Sequence, residues 1–335
     1  MDAIEQYGTL VSPLGSLFIF AVLAFRLLNS PNSQELSQVV VAFISFNTAF
    51  ISFNGALTGA LNLIATTAGR ASVLWRRAEP VILADVEQGY QPDAIHHRLD
   101  GEFRLHRISY AFPNSSEPLF TNLTFSIPAG KHTAITGASG CGKTTLVRML
   151  LGFITPDAGE LLVDGIPLSQ LAIRAYRRQL GVVLQMSQLN SGSIHDVVCG
   201  GVQRSHEQVW QALEQAAVAD EIRAMPMQLE TILSESGGNI SGGQVQRLAI
   251  ARALISQPRV LIMDEATSAL DNRSQQRITR TIAELGITRI SIAHRLSTIQ
   301  QADQIVVLEK NRPASSGTWD DLRNHGYLAR MLTLP

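Results

Sequence analysis

The sequence predicts an α/β unit carrying a helical subdomain, preceded by an all-α transmembrane hairpin. Three observations carry the prediction. Two long uncharged stretches lie before Arg70, a Gly-rich phosphate-loop pattern begins at Gly137 between a strand and a helix, and alternating strand and helix signals start at Gly101. Composition agrees. The 335 residues include 27 Lys+Arg and 28 Asp+Glu, a net charge of −1, with 45% hydrophobic and 16% charged residues. That charged share is well below the roughly 25% usual in soluble domains. The apolar content excludes a disordered chain. The near-zero charge argues against a nucleic-acid partner held by a basic field. Two cysteines make no disulfide scaffold and suit a reducing compartment.

The membrane part comes first. No charge falls between Glu5 and Arg26, and none between Leu36 and Gly69. Each stretch is long enough for a spanning helix of about 20 residues. Asn29-Ser30-Pro31-Asn32-Ser33 reads as the turn between them. The expected helices are at about 7–28 and 38–64, within a partial transmembrane domain 1–80. A signal peptide is disfavoured because Asp2 and Glu5 stand where basic residues belong. A pair of buried helices in a soluble domain is the other reading. Arg70, Arg76 and Arg77 form a basic flank that places the C-terminal end of the second helix in the cytoplasm. Asn47, Asn54, Thr58 and Asn62 share one face of that helix, with Gly55 and Gly59 beside them. The face reads either as helix packing, through small residues and interhelical amides, or as the lining of a substrate path. Two helices cannot enclose a conduit, so further transmembrane helices from another chain are expected.

Residues 81–100 read as a linker, with Gly89 and Pro92 breaking the apolar pattern. His96 and His97 lie in it without other metal ligands nearby, which suits a solvated linker better than a metal site. Residues 101–335 form the α/β domain, with a helical subdomain at about 188–245. The strand 132–136 runs into Gly137-Ala138-Ser139-Gly140-Cys141-Gly142-Lys143-Thr144-Thr145, a full G-x-x-x-x-G-K-[ST] pattern. Glycines let backbone N–H groups face phosphate oxygens, and the following helix start favours anions. Lys143 offers a charge to the β- and γ-phosphates, and the Thr144 hydroxyl a ligand for Mg²⁺. Cys141 is either a small residue at a tolerant position or a thiol made modifiable by Lys143 and the helix start.

Two further elements follow. The apolar run Val260-Leu261-Ile262-Met263 ends in Asp264 and Glu265. Strand ends of a parallel sheet face the ligand, so Asp264 suits the Mg²⁺ shell and Glu265 the activation of a water. Ser241-Gly242-Gly243-Gln244 precedes a helix, with Ser241 as N-cap and the glycines leaving the helix start open. One γ-phosphate does not need two helix termini from one subunit. Two subunits facing head to tail, each lending one terminus to the other's nucleotide, answer this.

Together these residues resemble the ATP-binding cassette (ABC) transporter family, over about residues 100–310. Ile240-Ser241-Gly242-Gly243-Gln244 matches its signature, with Ile in place of the usual Leu; Gln185 its Q-loop; Ser268-Ala269-Leu270-Asp271 its D-loop; His294 its switch histidine. Phe112 falls where the family stacks an aromatic, more often Tyr, on adenine. The resemblance implies a P-loop NTPase fold that hydrolyses ATP with Mg²⁺ as a pair of identical subunits, a homodimer. It implies ATP binding by Phe112, the loop residues Gly137, Ser139, Gly140, Cys141, Gly142, Lys143, Thr144 and Thr145, and Gln185. Metal would be held by Thr144, Gln185 and Asp264. Glu265 and His294 would be catalytic, and Ser241, Gly242, Gly243, Gln244 and Asp271 would act on the partner's nucleotide. Gln185 would also link the site to the membrane helices.

Segments 178–185, 191–194, 222–227 and 292–299 look like fused permease/ATPase bacteriocin exporters, in particular those exporting peptides with nitrile-hydratase-like leaders. This implies a peptide cargo and a plasma (inner) membrane location with a cytoplasmic ATPase domain. Two departures stand out. Family exporters carry six spans per half, against two here, matching the last two. The glycine usual near Asn311 is also absent. With only Cys141 and Cys199, and no domain-sized segment before the hairpin, no leader-trimming cysteine peptidase is expected. Three readings stay open: a half-exporter completed by other spans, a non-transport ABC ATPase, and a truncated exporter that hydrolyses ATP without transport.

Overall fold

The structure, a computed structural model, describes residues 2–29, 33–84, 93–113, 115, 117–184, 189–234, 238–264, 270–310, 312–324 and 326–333. Two compact units divide the chain, Met1–Val86 and Glu87–Pro335.

In the first unit, α1 (Asp2–Leu28) and α2 (Ser33–Ile82) pair as a hairpin. At 1.5 Å per residue the 50 residues of α2 extend about 75 Å. The expected helix 38–64 is therefore too short. Beyond Ile64 the chain is rich in Ala and Arg, good helix formers, and Pro80 lies only in the last turn, so nothing stops the helix before Ile82. Arg70, Arg76 and Arg77, the basic flank, accordingly lie on the helix itself. By length and composition, one helix among the described residues can cross a membrane, Ser37–Ile82, while the apolar part of α1, Pro13–Arg26, is shorter. This falls short of the two full spans expected.

Asn47, Asn54 and Thr58 are half-buried on the α2 face that also carries Phe43 and Phe50. That face meets α1. Phe43 packs edge-on against Phe20 with ring centroids 5.0 Å apart. A Cβ on Gly15 would lie 2.3 Å from the Phe50 ring, so only glycine lets the helices approach there. The packing reading of the polar face thus has a physical basis. The Asn54 amide, however, donates to Phe50 O of its own helix at 3.1 Å rather than across to α1. Gly55 and Gly59 have open space beside them.

The second unit runs β1 (Phe103–Tyr110), β2 (Phe120–Ile127), β3 (His132–Gly137), α3 (Lys143–Leu150), β4 (Ala158–Val163), β5 (Ile166–Pro167), α4 (Ile173–Arg177) and β6 (Leu180–Val183). There follow β7 (Gly192–Ser193), α5 (Ile194–Cys199), α6 (His206–Gln215), α7 (Ala219–Arg223), β8 (Ile232–Leu233) and α8 (Gly242–Leu254). The chain closes with β9 (Val260–Asp264), α9 (Asn272–Glu284), β10 (Thr288–Ile292), α10 (Leu296–Gln300), β11 (Gln304–Leu308), β12 (Ser315–Gly317), α11 (Trp319–Leu322) and α12 (Gly326–Thr333).

The main sheet has the order β12-β11-β3-β10-β9-β6, parallel from β11 to β6, with β12 antiparallel at the edge. Central β3 is buried along its whole length, as a doubly covered parallel strand must be. A second, antiparallel sheet, β2-β1-β4-β5, packs with α3 and the main sheet around Phe103, Ile127, Ile135, Leu146 and Ile262. Between β6 and β9, helices α5 to α8 and the β7–β8 ribbon share a core of their own that includes Val198, Leu213, Ile222 and Leu248.

The expected linker 81–100 is shorter than read. Ile95 bridges to Leu171, Leu99 is fully buried, and the Leu99 N–H donates to Gln179 Oε1 at 2.9 Å. The apolar Ile95 and Leu99 give this stretch a reason to dock. Of its two histidines, His97 pairs with Asp164 at 3.3 Å. Among the described residues no cluster of His, Cys, Asp or Glu could hold a metal.

Candidate nucleotide site

Parallel strands deliver their carboxyl ends to one edge of the sheet. The register sets Ile292 beside both Ile135 and Asp264, and Gly137 beside Leu308. What leaves β3, β9 and β10 therefore emerges side by side. From β3 the chain turns at once into the loop before α3. Gly137 makes that turn at φ +151°, and a Cβ there would sit 2.2 Å from Leu308 O. Gly142 caps α3 at φ +100°, where a Cβ would strike the Phe120 ring at 2.6 Å. Close packing under the loop thus dictates two of its glycines.

A cleft of about 440 Å³ opens above this edge. Ser139, Gly140, Gly142, Lys143, Thr144 and Thr145 line it from the loop and the start of α3, and Asp264 and His294 from the ends of β9 and β10. Phe112, Leu119 and Ile292 supply its apolar wall. The first-turn N–H groups of α3 have no intrahelical acceptor, so they face the cleft as anion donors. The Lys143 ammonium is held by Gly137 O at 2.8 Å and Ala138 O at 3.0 Å, curled over its own loop. Phe112 is half-exposed at the rim and braced edge-on against Tyr110, centroids 5.4 Å apart.

Among the described residues, Gly137 and Cys141 do not line the cleft. Cys141 is buried beneath the loop with its thiol 3.9 Å from Lys143 Nζ, which leaves its backbone as the part able to serve a phosphate and speaks against the modifiable-thiol reading. Gln185, Glu265, Ser268 and Ala269 lie outside the described residues, as does Asn311. Ser241, Gly242, Gly243, Gln244 and Asp271 are also not among the lining residues. Ser241 caps α8 in a reciprocal box with Gln244, and its exposed neighbour Gly242 has open space beside it. Asp271 caps α9 by accepting from the Arg273 and Ser274 N–H groups at 3.0 and 2.9 Å. A hydrogen bond from the Ser274 side chain, and then these N–H groups, hold its carboxyl below the usual range. A smaller cavity of about 180 Å³ lies behind Ile292 and His294, between β10, α9 and α10. It holds none of the loop residues, so the chemistry belongs to the larger cleft.

Residues 120–268 match the ABC transporter family model. The α/β unit has the ABC ATPase fold, preceded in the chain by long apolar helices. The ABC domain finds a relative in the colicin V secretion/processing ATP-binding protein CvaB of Escherichia coli, 42% identical over 200 residues, or 59% of this chain and 29% of that protein. The whole chain aligns with the ATP-dependent lipid A-core flippase of Burkholderia orbicola (strain AU 1054), 34% identical over 96% of this chain and 54% of the flippase. Among solved structures, a bacterial Atm1-family ABC exporter with ATP bound matches at a TM-score of 0.79 and 29% identity, over 99% of this chain and 58% of that one. The chain thus spans about half, or less, of the length of these relatives.

Sequence reasoning missed Leu119 and Ile292 as cleft walls, and Asp157, which accepts the Ala111 N–H at 2.8 Å beside Phe112. It also missed the buried Arg247 and its partner Glu221 under the signature turn. No local pattern marks any of them, because each acts across the fold.

Proposed function

We propose that this chain is the ATP-hydrolysing subunit of an ABC exporter that works as a pair of such subunits, a homodimer, in the plasma membrane with the ATPase domain in the cytoplasm. The observation that carries the proposal is the convergence of Phe112, Lys143, Thr144, Asp264 and His294, from four separate segments, on one cleft. Phe112 stacks on adenine. The N–H groups of the 137–145 loop and the Lys143 ammonium take the phosphates. The hard oxygens of Thr144 and Asp264 in one cleft suit Mg²⁺, with Gln185 as a third ligand. Held there, the ion would supply neutralisation of the phosphate charge. Glu265 orients and polarises the water, and His294 stabilises the transferring phosphoryl group. Ser241, Gly242, Gly243, Gln244 and Asp271 of the second subunit complete the pocket. Their position outside this chain's own cleft, and the openness around Gly242, support that sharing.

The test is Glu265→Gln in the full chain. ATP binding persists, a nucleotide-locked dimer accumulates and turnover stops. Turnover at the wild-type rate removes Glu265 from its role.

The cargo in this reading is a bacteriocin-like peptide, supported by the likeness to a colicin secretion protein. Further transmembrane helices come from outside these residues. A second reading, a lipid cargo, is favoured by one observation: the alignment with the lipid A-core flippase runs through the apolar hairpin as well as the ATPase domain. ATPase stimulation in nanodiscs by a precursor peptide, against stimulation by lipid A-core, separates the two.

A further inference from the structure

The signature turn is held from beneath by a residue that belongs to none of the ABC motifs. Glu221 lies on α7, the short helix Ala219–Arg223 of the helical subdomain. Its Oε2 accepts from Gln244 Nε2 at 2.8 Å and from Arg247 Nη2 at 3.0 Å, while its Oε1 accepts from Arg247 Nη1. Arg247 is buried, and two more of its donors are committed, Nε to Gly243 O at 3.2 Å and Nη1 to Ala217 O at 2.9 Å. On its other side, Gln244 Oε1 accepts the Ser241 N–H at 2.9 Å, and the Gln244 N–H donates to Ser241 Oγ at 3.2 Å. The result is an unbroken relay: Ser241, Gln244, Glu221, Arg247 and back to Gly243. Both residues that the paired-site reading sends to the partner's γ-phosphate, Ser241 and Gly243, are its ends.

The relay reaches further. Asp220, next to Glu221, faces Arg277 of α9 at 3.8 Å, and α9 is the helix capped by Asp271. One turn of α7 therefore holds the two helices, α8 and α9, whose N-termini point to the second subunit in that reading.

We propose that Glu221 is a positioning residue for the half-site presented to the partner: it orients the Gln244 amide and so sets where Ser241 and Gly243 stand. The inference rests on the paired-site reading above. A charged acceptor bound by a bidentate guanidinium and a third donor is rigid. Rigidity of this kind counts where donors must meet a transition state, since a misplacement of about 1 Å costs on the order of 100-fold in rate.

The experiment uses the full chain in detergent or nanodiscs and four variants: Glu221→Asp, Gln244→Ala, the double variant and Ser241→Arg. Glu221→Asp keeps a carboxylate for Arg247 but is one methylene too short to hold Gln244 as well. The expected result for it is a kcat about tenfold lower, with the affinity for a fluorescent ATP analogue and the thermal midpoint close to wild type. Gln244→Ala breaks the relay while leaving the Glu221–Arg247 pair intact, so it loses a similar factor without a folding defect. Because Glu221 acts through Gln244, the double variant loses no more than Gln244→Ala alone. Additive losses, or wild-type kcat in both single variants while Ser241→Arg is inactive, overturn the role of Glu221 and leave the paired site standing. Full turnover in Ser241→Arg overturns the paired site, and this inference with it.

Discussion

The carboxylate of Asp157 accepts the backbone N–H of Ala111 at 2.8 Å, and the Asp157 N–H in turn donates to Ser109 O at 2.9 Å. This two-way clamp holds the end of β1 one residue before Phe112. The aromatic proposed to stack on adenine is thus placed through Ala111, which lies 46 residues from the acid that holds it.

Removing the clamp loosens Phe112 and leaves the phosphate end intact. Asp157→Ala is expected to raise the KM for ATP by about fivefold, the worth of roughly 1 kcal/mol from one hydrogen bond, with kcat unchanged. Asp157→Asn keeps an acceptor oxygen and loses less. Steady-state ATPase kinetics on both variants check this; a fall in kcat at constant KM contradicts it.

His294 follows the end of β10 by two residues and lines the same cleft as Lys143. In its proposed role as a donor to charge that develops during transfer, it would act on the transition state more than on binding. His294→Ala is expected to lower kcat by about 100-fold while nucleotide affinity changes little. Single-turnover hydrolysis beside equilibrium binding measures both.

Gly137 and Gly140 both have positive φ but differ in what surrounds them. A Cβ at Gly137 meets Leu308 O at 2.2 Å and Cys141 Sγ at 2.8 Å, whereas at Gly140 nothing lies within 4 Å. Gly140→Ala should cost only the left-handed penalty of about 1–2 kcal/mol. Gly137→Ala adds a clash with backbone and should cost clearly more, in the upper range of about 3 kcal/mol for a strained site. Thermal unfolding of the two variants orders them, and equal midpoints would refute the argument.

His132 opens β3, buried, with Nε2 2.9 Å from Ser291 Oγ. Burial, and then the nearby Arg289, push its pKa down from 6.5 to about 4. The folded state keeps the imidazole neutral where the unfolded chain is already taking up a proton. Its contribution is whole above the unfolded value of 6.5 and shrinks as pH falls from there towards about 4. At most about 3 kcal/mol is lost across that window. His132→Asn should flatten the pH dependence of the unfolding midpoint between those limits. An unaltered slope shows that other groups set it.

The parts of the site legible in the sequence are those that sit on contiguous chain. The loop from Gly137 to Thr145 is one unbroken segment, and its neighbours, a strand before and a helix after, are local too. Asp264 was legible because it ends an apolar strand, and parallel strands deliver their ends to one edge; His294 was legible from its place after a strand and its match to the family's switch histidine. Glu221 and Asp157 were not legible. Glu221 lies 23 residues from Gln244 and 26 from Arg247, and their meeting depends on how α7 packs on α8. The end of α2 was misread because the apolar run stops at Ile64, yet helix formation needs only suitable backbone propensities and continues to Ile82.

By itself, then, the order of residues determined the chemical inventory: a phosphate loop, two carboxylates at a strand end, a capped glycine turn and a histidine after a strand. It did so because each depends on hydrogen-bonding groups a few bonds apart. Only the tertiary structure decided which of them share a cleft, that Phe112 and Ile292 wall it, and that Cys141 turns beneath the loop. Those outcomes depend on strand order and side-chain packing, where residues far apart along the chain compete for the same space.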